Sequence, residues 1–351
     1  MTKKRIAVIG LGKMGLFHLS ILKNLSEIEI VGISDQNTSL KKMVHGMGFD
    51  APFFDSTDEL IQTARPEGIF ACVPPGFNPS VAETCLKQGV ALFLEKPMAA
   101  SLSDARKILA ALSSHSAPPA NGIGYMMAHY PLCQQAKKLI EEGAIGEIRH
   151  YRGSILLGEV FKKQEGWRQN PAVSGGGVVS VVGSHLLFLI RFLLGLPEEI
   201  SARAIHLFSS VEDIAEGRFK HAGYFGEFYV SWSRPGYSDM ALQLSLEGTH
   251  GFMELSDSML SVHTFESHPS ERPGSRVWYP WDFSKPQVLQ QGIDLGRPGY
   301  AAQDHDFVSS IGSGRAPLVS WKEGYEVQKM IEAVYHSEKQ GGRPVSLKEL
   351  E

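Results

Sequence analysis

Through its first 124 residues the chain sets short unbroken apolar runs between stretches with helical spacing. The runs "RIAVIG" (5–10), "EIVGIS" (29–34), "GIFACV" (68–73) and "VALFLE" (90–95) are rich in β-branched residues and bounded by turn formers. Strands covered on both faces have that pattern. Helical spacing fills 14–25, 37–46, 79–88 and 102–114, and "PFF" (52–54) and "ANGIGY" (120–125) add two shorter strands. Strands alternating with helices predict a parallel, doubly wound sheet with right-handed crossovers.

Beyond residue 125 the rhythm changes. A helical stretch at 131–146 leads into alternating segments at 147–157, 226–232 and 240–248, which suit an open, mostly antiparallel sheet with one covered face. A strongly apolar helix is predicted over 177–195, opened by Gly175, Gly176 and Gly177. The stretch 266–299, punctuated by Pro and Trp, reads as a long irregular loop, and helices are expected at 302–312 and 322–338. The predicted fold is α/β in two domains, 1–124 and 125–351, with the last helix a candidate for packing back on the first.

Composition narrows the function classes. Of 351 residues, 43% are hydrophobic and 21% charged, as in globular proteins, and the net charge of −4 provides no footprint for nucleic acid. The apolar stretch "LLFLIRFLLG" (186–195) is too short for a membrane span and carries Arg191. Cys72, Cys85 and Cys133 are too few and too irregularly spaced for a disulfide framework or a zinc site, and no metal site is expected. No secretory leader pattern opens the chain, so a cytoplasmic protein is expected.

Chemistry enters at "IAVIGLGKMG" (6–15). Gly10, Gly12 and Gly15 stand in the spacing G-x-G-x-x-G where a strand gives way to a helix. In a dinucleotide site the first glycine permits the turn, the second lets the backbone approach a pyrophosphate, and the third lets helix and strand pack closely. Free N–H groups from Gly12 through Lys13 to Met14 would face the phosphates. Twenty residues past Gly15, Asp35 ends the second strand, placed to accept both ribose hydroxyls and to repel a 2′-phosphate. Gln36 and Asn37 follow it instead of an arginine, so NAD is expected ahead of NADP. The first domain therefore reads as a Rossmann unit.

A second pattern lies in "LFLEKPMA" (92–99), where a strand stops at Glu95-Lys96-Pro97. Ligands of open α/β sheets bind just outside that edge. Glycine loop and EKP tripeptide together resemble the Gfo/Idh/MocA family of oxidoreductases. The likeness continues through "CVPPGFNPSVAETCLKQG", "GAIGEI" (143–148), "WRQNPAVSGGG" (167–177) and the ending "FVSSIGSGRAPLVSWKEGYEVQKMIEAVYHSEKQGGRPVSL".

The resemblance implies reversible hydride transfer between NAD and a carbinol carbon of a sugar, polyol or derivative. It also implies a homodimer or homotetramer built through the C-terminal sheet. Lys96 and His185 match the family's catalytic lysine and histidine. Val73, Pro74, Asn78, Glu95 and Lys96 join the glycine loop and Asp35 as expected cofactor contacts, and Tyr125, Trp167, Arg168 and His185 are expected at the substrate. An imidazole of ordinary pKa near 6.5 suits the exchange of a hydroxyl proton at neutral pH. Arg168 could meet a carboxylate or phosphate in bidentate fashion. Trp278, Tyr279 and Trp281 are candidates for a substrate lip or an oligomer contact.

Three positions depart from the family pattern. Val181 stands four residues before His185, where relatives carry Asp. Asn78 replaces a frequent histidine, and Ala128 a frequent arginine. These departures point to a different substrate, or to a non-catalytic NAD(H)-binding sensor; a separate alternative is an enzyme that retains and recycles NAD, in the manner of a glycosidase or epimerase.

Overall fold

A computed structural model describes residues 3–161, 166–265, 274–283 and 299–350. They fall into two compact units, one drawn from Met1–Met126 and Pro286–Tyr325, the other from Met127–Lys285 and Glu326–Glu351.

The first unit alternates β1 (Lys4–Ile9), α1 (Lys13–Leu22), β2 (Ile28–Ser34), α2 (Leu40–Gly46), β3 (Phe53–Phe54) and α3 (Thr57–Ala64). It continues through β4 (Gly68–Ala71), α4 (Asn78–Lys87), β5 (Ala91–Leu94), α5 (Leu102–Ser113) and β6 (Asn121–Ile123). The six strands form one parallel sheet in the order β3-β2-β1-β4-β5-β6. Direction reverses between β1 and β4, and the crevice where ligands bind doubly wound sheets lies at such a switch point. Ile6, Val8, Phe70 and Phe93 are buried in the sheet because helices cover both its faces. The helix α3 is absent from the sequence reading, although Ser56 caps it by accepting the Glu59 N–H and Asp58 and Glu59 sit in its first turn. Its eight residues are too few for a strong period. The helix Gly299–Ser310 contributes Phe307 and Val308 to this core, beside Ile311. The Lys4 ammonium fixes its end by donating to the carbonyls of Val308 and Ile311, at 2.7 and 2.9 Å.

The second unit begins with α6 (Pro131–Glu141), β7 (Ile148–Leu156), α7 (Pro171–Ser174) and α8 (Ser184–Leu194). There follow β8 (Glu199–Ile205), β9 (Ile214–Lys220), β10 (Phe225–Ser231), β11 (Ala241–Gly248), β12 (Gly251–Ser256), β13 (Leu260–Thr264), β14 (Gly274–Trp278) and β15 (Val345–Ser346). The nine strands form one sheet, β14-β13-β12-β11-β7-β10-β9-β8-β15, antiparallel throughout except for the parallel pair β7 and β10. Alternation marks its two faces: in β10, Gly226, Phe228 and Val230 are buried while Phe225 is exposed. On the covered face α8 lies close over β7, since a Cβ at Gly153 would stand 2.8 Å from Leu186 Cδ1.

The helix expected over 177–195 is interrupted. Gly175 and Gly176 have φ of +77° and +134°, which ends α7. Val179–Gly183 is wound as a π-turn, and regular α geometry begins only at Ser184. The run from Pro171 to Leu194 is long and apolar enough to cross a membrane, but 78% of its most apolar window is buried within the fold, as in a core helix. Most of the loop expected at 266–299 lies outside the described residues.

Candidate active site

The three glycines of the first loop are required for different reasons. Gly10 has φ +84°, and a Cβ there would stand 2.6 Å from the Cys72 carbonyl oxygen. A Cβ at Gly15 would land on the carbonyl of Gly10. Both are therefore demanded by packing alone. Gly12 is not: its φ of −66° and ψ of −174° suit any residue, and nothing lies within 4 Å of its would-be Cβ. Gly12 and Lys13 are exposed, Met14 is half-buried, and no side chain caps the first turn of α1. An open space over an uncapped helix N-terminus fits an anionic ligand that the backbone must approach closely.

Asp35 meets this loop from the end of β2. Its carboxylate accepts the Leu11 N–H at 2.6 Å and the Asn37 N–H at 2.7 Å. The residue that would read the ribose therefore also pins the glycine loop.

At the ends of β4 and β5 the remaining first-unit candidates separate. Val73 packs beside Gly10, its Cγ1 3.2 Å from that glycine's would-be Cβ, and Pro74 leads into a short 3-10 turn. Within 91–99 every residue is buried except Lys96, which is half-exposed, and the Lys96–Pro97 peptide is cis. Asn78, expected at the cofactor, is wholly buried and turned inward. Its amide nitrogen lies 3.1 Å from the Met98 carbonyl oxygen and 3.4 and 3.5 Å from those of Pro97 and Glu95. It grips the main chain of the lysine turn. Tyr125, expected at the substrate, is likewise fully enclosed.

Glu95, expected at the cofactor, turns its side chain to an unforeseen partner. Its Oε1 lies 3.0 Å from Nε2 of His18, a fully buried residue of α1 whose Nδ1 is 2.7 Å from Asp304 Oδ2. Burial by itself lowers the His18 pKa, but Asp304 and then Glu95 outweigh it and push it up to about 10. Burial pushes the Asp304 carboxyl up, with His18 opposing. Sequence reading passed over both residues. A histidine three positions beyond the last loop glycine, in the apolar "GLFHLSIL", was the one trace of the cluster.

In the second unit His185 is buried, one residue into α8. The four-residue spacing from Val181 to His185 straddles the junction of π and α winding, and the segment stays about one turn long across it. A buried carboxylate anchors this segment. Glu212 accepts the Gly177 N–H at 2.8 and 2.9 Å, the Val179 N–H at 3.1 Å and the Tyr335 hydroxyl at 2.7 Å. Burial pushes the Glu212 carboxyl up, and these donors oppose the shift. A Cβ at Gly176 would overlap the Tyr335 ring, and one at Gly177 the Glu212 backbone, so the two glycines serve this packing. Trp167 and Arg168 occupy a 3-10 turn, both half-buried, the guanidinium stacked 4.8 Å over the indole. Tyr279 and Trp281 stack with centroids 4.7 Å apart, and Trp281 is 68% exposed. No group of three or more potential metal ligands occurs among the described residues.

Comparison with known proteins bears on the same residues. A family model described as an oxidoreductase family with an NAD-binding Rossmann fold matches residues 4–120, and the C-terminal domain model of the same family matches 133–254. The chain belongs to the GFO/IDH/MocA family of oxidoreductases. Its first unit is accordingly an NAD-binding Rossmann fold. The D-apiose dehydrogenase of Paraburkholderia graminis is 25% identical over 98% of this chain and 90% of its own length. The D-glucoside 3-dehydrogenase of Escherichia coli is 22% identical over 97% and 96%. Among solved structures, levoglucosan dehydrogenase in complex with NADH and levoglucosan superimposes with a TM-score of 0.86 at 20% identity, covering 99% of this chain and all of that one.

Proposed function

We propose that this chain is an NAD-dependent dehydrogenase or reductase acting on a carbinol carbon of a sugar, polyol or derivative, with Lys96 and His185 as its catalytic pair. One observation carries the reading. The only loop glycine whose replacement the fold would tolerate, Gly12, faces open space at the switch point, and Lys96 is the single half-exposed residue of an otherwise buried turn on the same sheet. Full-length relatives named as dehydrogenases of apiose and of glucosides support a sugar substrate.

NAD, when bound, supplies the hydride acceptor. The protein's task is then to manage the hydroxyl proton and hold the oxygen. In this reading His185 takes the proton from the substrate hydroxyl during oxidation and returns it during reduction. The Lys96 ammonium donates a hydrogen bond to the same oxygen, stabilising the negative charge that develops as the proton leaves. Trp167 and Arg168 would present a stacked plane and a guanidinium to the sugar. Residues 1–124 would serve the nucleotide and 125–351 the substrate and self-association, the uncovered face of the nine-stranded sheet forming a homodimer or homotetramer. Three unpaired thiols agree with a cytoplasmic setting.

The test is NADH formation at 340 nm with D-apiose, levoglucosan, glucosides, sugar phosphates and inositols. With a sugar that turns over, Lys96→Ala and His185→Ala should each lower kcat about 10²–10⁴-fold while NADH binds within threefold of wild type. The double variant should be little worse than either single, because both act on one oxygen. Failure of every sugar, or loss of NADH binding in step with turnover, would overturn the reading.

A further inference from the structure

The cluster beneath the lysine turn has a geometry that packing alone does not explain. His18 is enclosed by the rings of Phe70 and Phe93, both at 5.4 Å, and of Tyr300 and Phe17 at 6.3 and 6.4 Å. Into this apolar cage the protein inserts two carboxylates, one at each ring nitrogen. A neutral imidazole has only one N–H, so its other nitrogen would turn a lone pair towards a carboxylate oxygen. With both acids ionised, contacts of 2.7 and 3.0 Å take an N–H from each nitrogen, and the ring, its pKa pushed up to about 10, is a buried cation. The arrangement joins three elements: α1, which leaves the glycine loop, the end of β5, and the helix Gly299–Ser310. Its titratable members are His18, Glu95 and Asp304, with the Cys72 thiol from the end of β4 pushed up first by burial and then by the two carboxylates.

Glu95 immediately precedes Lys96. Its side chain is held by His18, while the carbonyls of Glu95, Pro97 and Met98 are gripped by the Asn78 amide. The turn is thus clamped on its side-chain and main-chain sides at once. We propose that His18 is a positioning residue of the reaction site, whose cation, fixed between Asp304 and Glu95, sets the place and the electrostatic surroundings of the Lys96 ammonium. This inference rests on the role assigned to Lys96, but its test needs no sugar.

The full chain is saturated with NADH and treated with trace acetic anhydride from pH 6 to 10. Acetylation of Lys96 is read by peptide mass spectrometry against the exposed Lys87 and Lys138 as internal references. Asp304 is the largest influence holding the proton on His18, and burial opposes it. In Asp304→Asn the ring should therefore lose its proton within the neutral range. Wild type should show no break in the Lys96 profile near neutrality. Asp304→Asn should show one, with at least a twofold change in relative rate across it, and lowering the pH below it should restore the wild-type ratio. The break should vanish in His18→Gln/Asp304→Asn, while NADH affinity stays within threefold in every variant. Should Asp304→Asn not fold, Glu95→Gln, which leaves Asp304 on the ring, should show the break at higher pH. Profiles without a break in whichever of these variants folds, or a break that persists without His18, would overturn the positioning role. Wild-type turnover in Lys96→Ala would instead overturn the role of the lysine itself.

Discussion

Gly12→Ala and Gly15→Ala form a matched pair that separates cofactor binding from folding. At position 12 the backbone already has angles open to alanine, and the new methyl meets nothing within 4 Å. Loss of chain freedom in the unfolded state favours alanine by about 0.4–1 kcal/mol. Alanine is a poorer N-cap than glycine by about 0.5–1 kcal/mol, so the two effects nearly cancel and apo stability should change by less than about 0.5 kcal/mol. That corresponds to no more than about 2 °C in Tm for a domain of this size. In the proposed binding mode, the methyl would enter the space of the pyrophosphate. Overfilling a close-packed contact costs about 1–3 kcal/mol, which is a loss of roughly 5- to 150-fold in NADH affinity. At position 15 the same methyl lands on the Gly10 carbonyl, and both groups belong to backbone that cannot swing aside. Destabilisation should exceed about 3 kcal/mol, and NADH binding should fail along with the loop. Thermal melts of the apo proteins and fluorescence titration with NADH give both quantities. If Gly12→Ala bound NADH within twofold of wild type, the backbone would not approach the phosphates there.

Two further outcomes follow from single contacts. Asp35→Ser/Gln36→Arg should move cofactor preference towards NADP by about 10- to 100-fold, since the variant exchanges a repelling carboxylate for a guanidinium. Affinity for both nucleotides should also fall, because Asp35 holds the Leu11 N–H; unchanged relative kcat/KM for NAD and NADP would refute the assignment. Tyr335→Phe removes a donor from the buried Glu212 carboxylate and should cost about 1.5–3 kcal/mol in urea melts at pH 8. The Glu212 carboxyl is already pushed up by burial, and loss of this donor pushes it further. The deficit is then fully present above the variant's folded Glu212 pKa and shrinks as pH falls through it and the wild-type value, so a deficit equal at pH 4 and pH 8 would contradict the role given to Tyr335.

Much of this protein was determined locally. The strands of the first unit are apolar on both faces, and G-x-G-x-x-G with an acid twenty residues on is a spacing constraint within one βαβ segment, so strand, turn, helix and Asp35 could be read in order. The catalytic roles proposed for Lys96 and His185 come from likeness to a family; locally, only the strand end at Lys96 points to a ligand edge. The missed features all depend on distant partners. His18 reads as a polar intrusion in an apolar helix until Asp304, 286 positions away, is brought to its ring. Asn78 is a plausible ligand contact until the chain folds the lysine turn beneath its amide. Gly176 and Gly177 read only as the opening of an apolar helix until Tyr335 and Glu212 fill the space in front of them. Short-range sequence settles backbone conformation and hydrophobic period, because these are decided within a few residues. Which buried charge meets which, and so which polar groups are free to act, is decided only when segments hundreds of residues apart exclude water together.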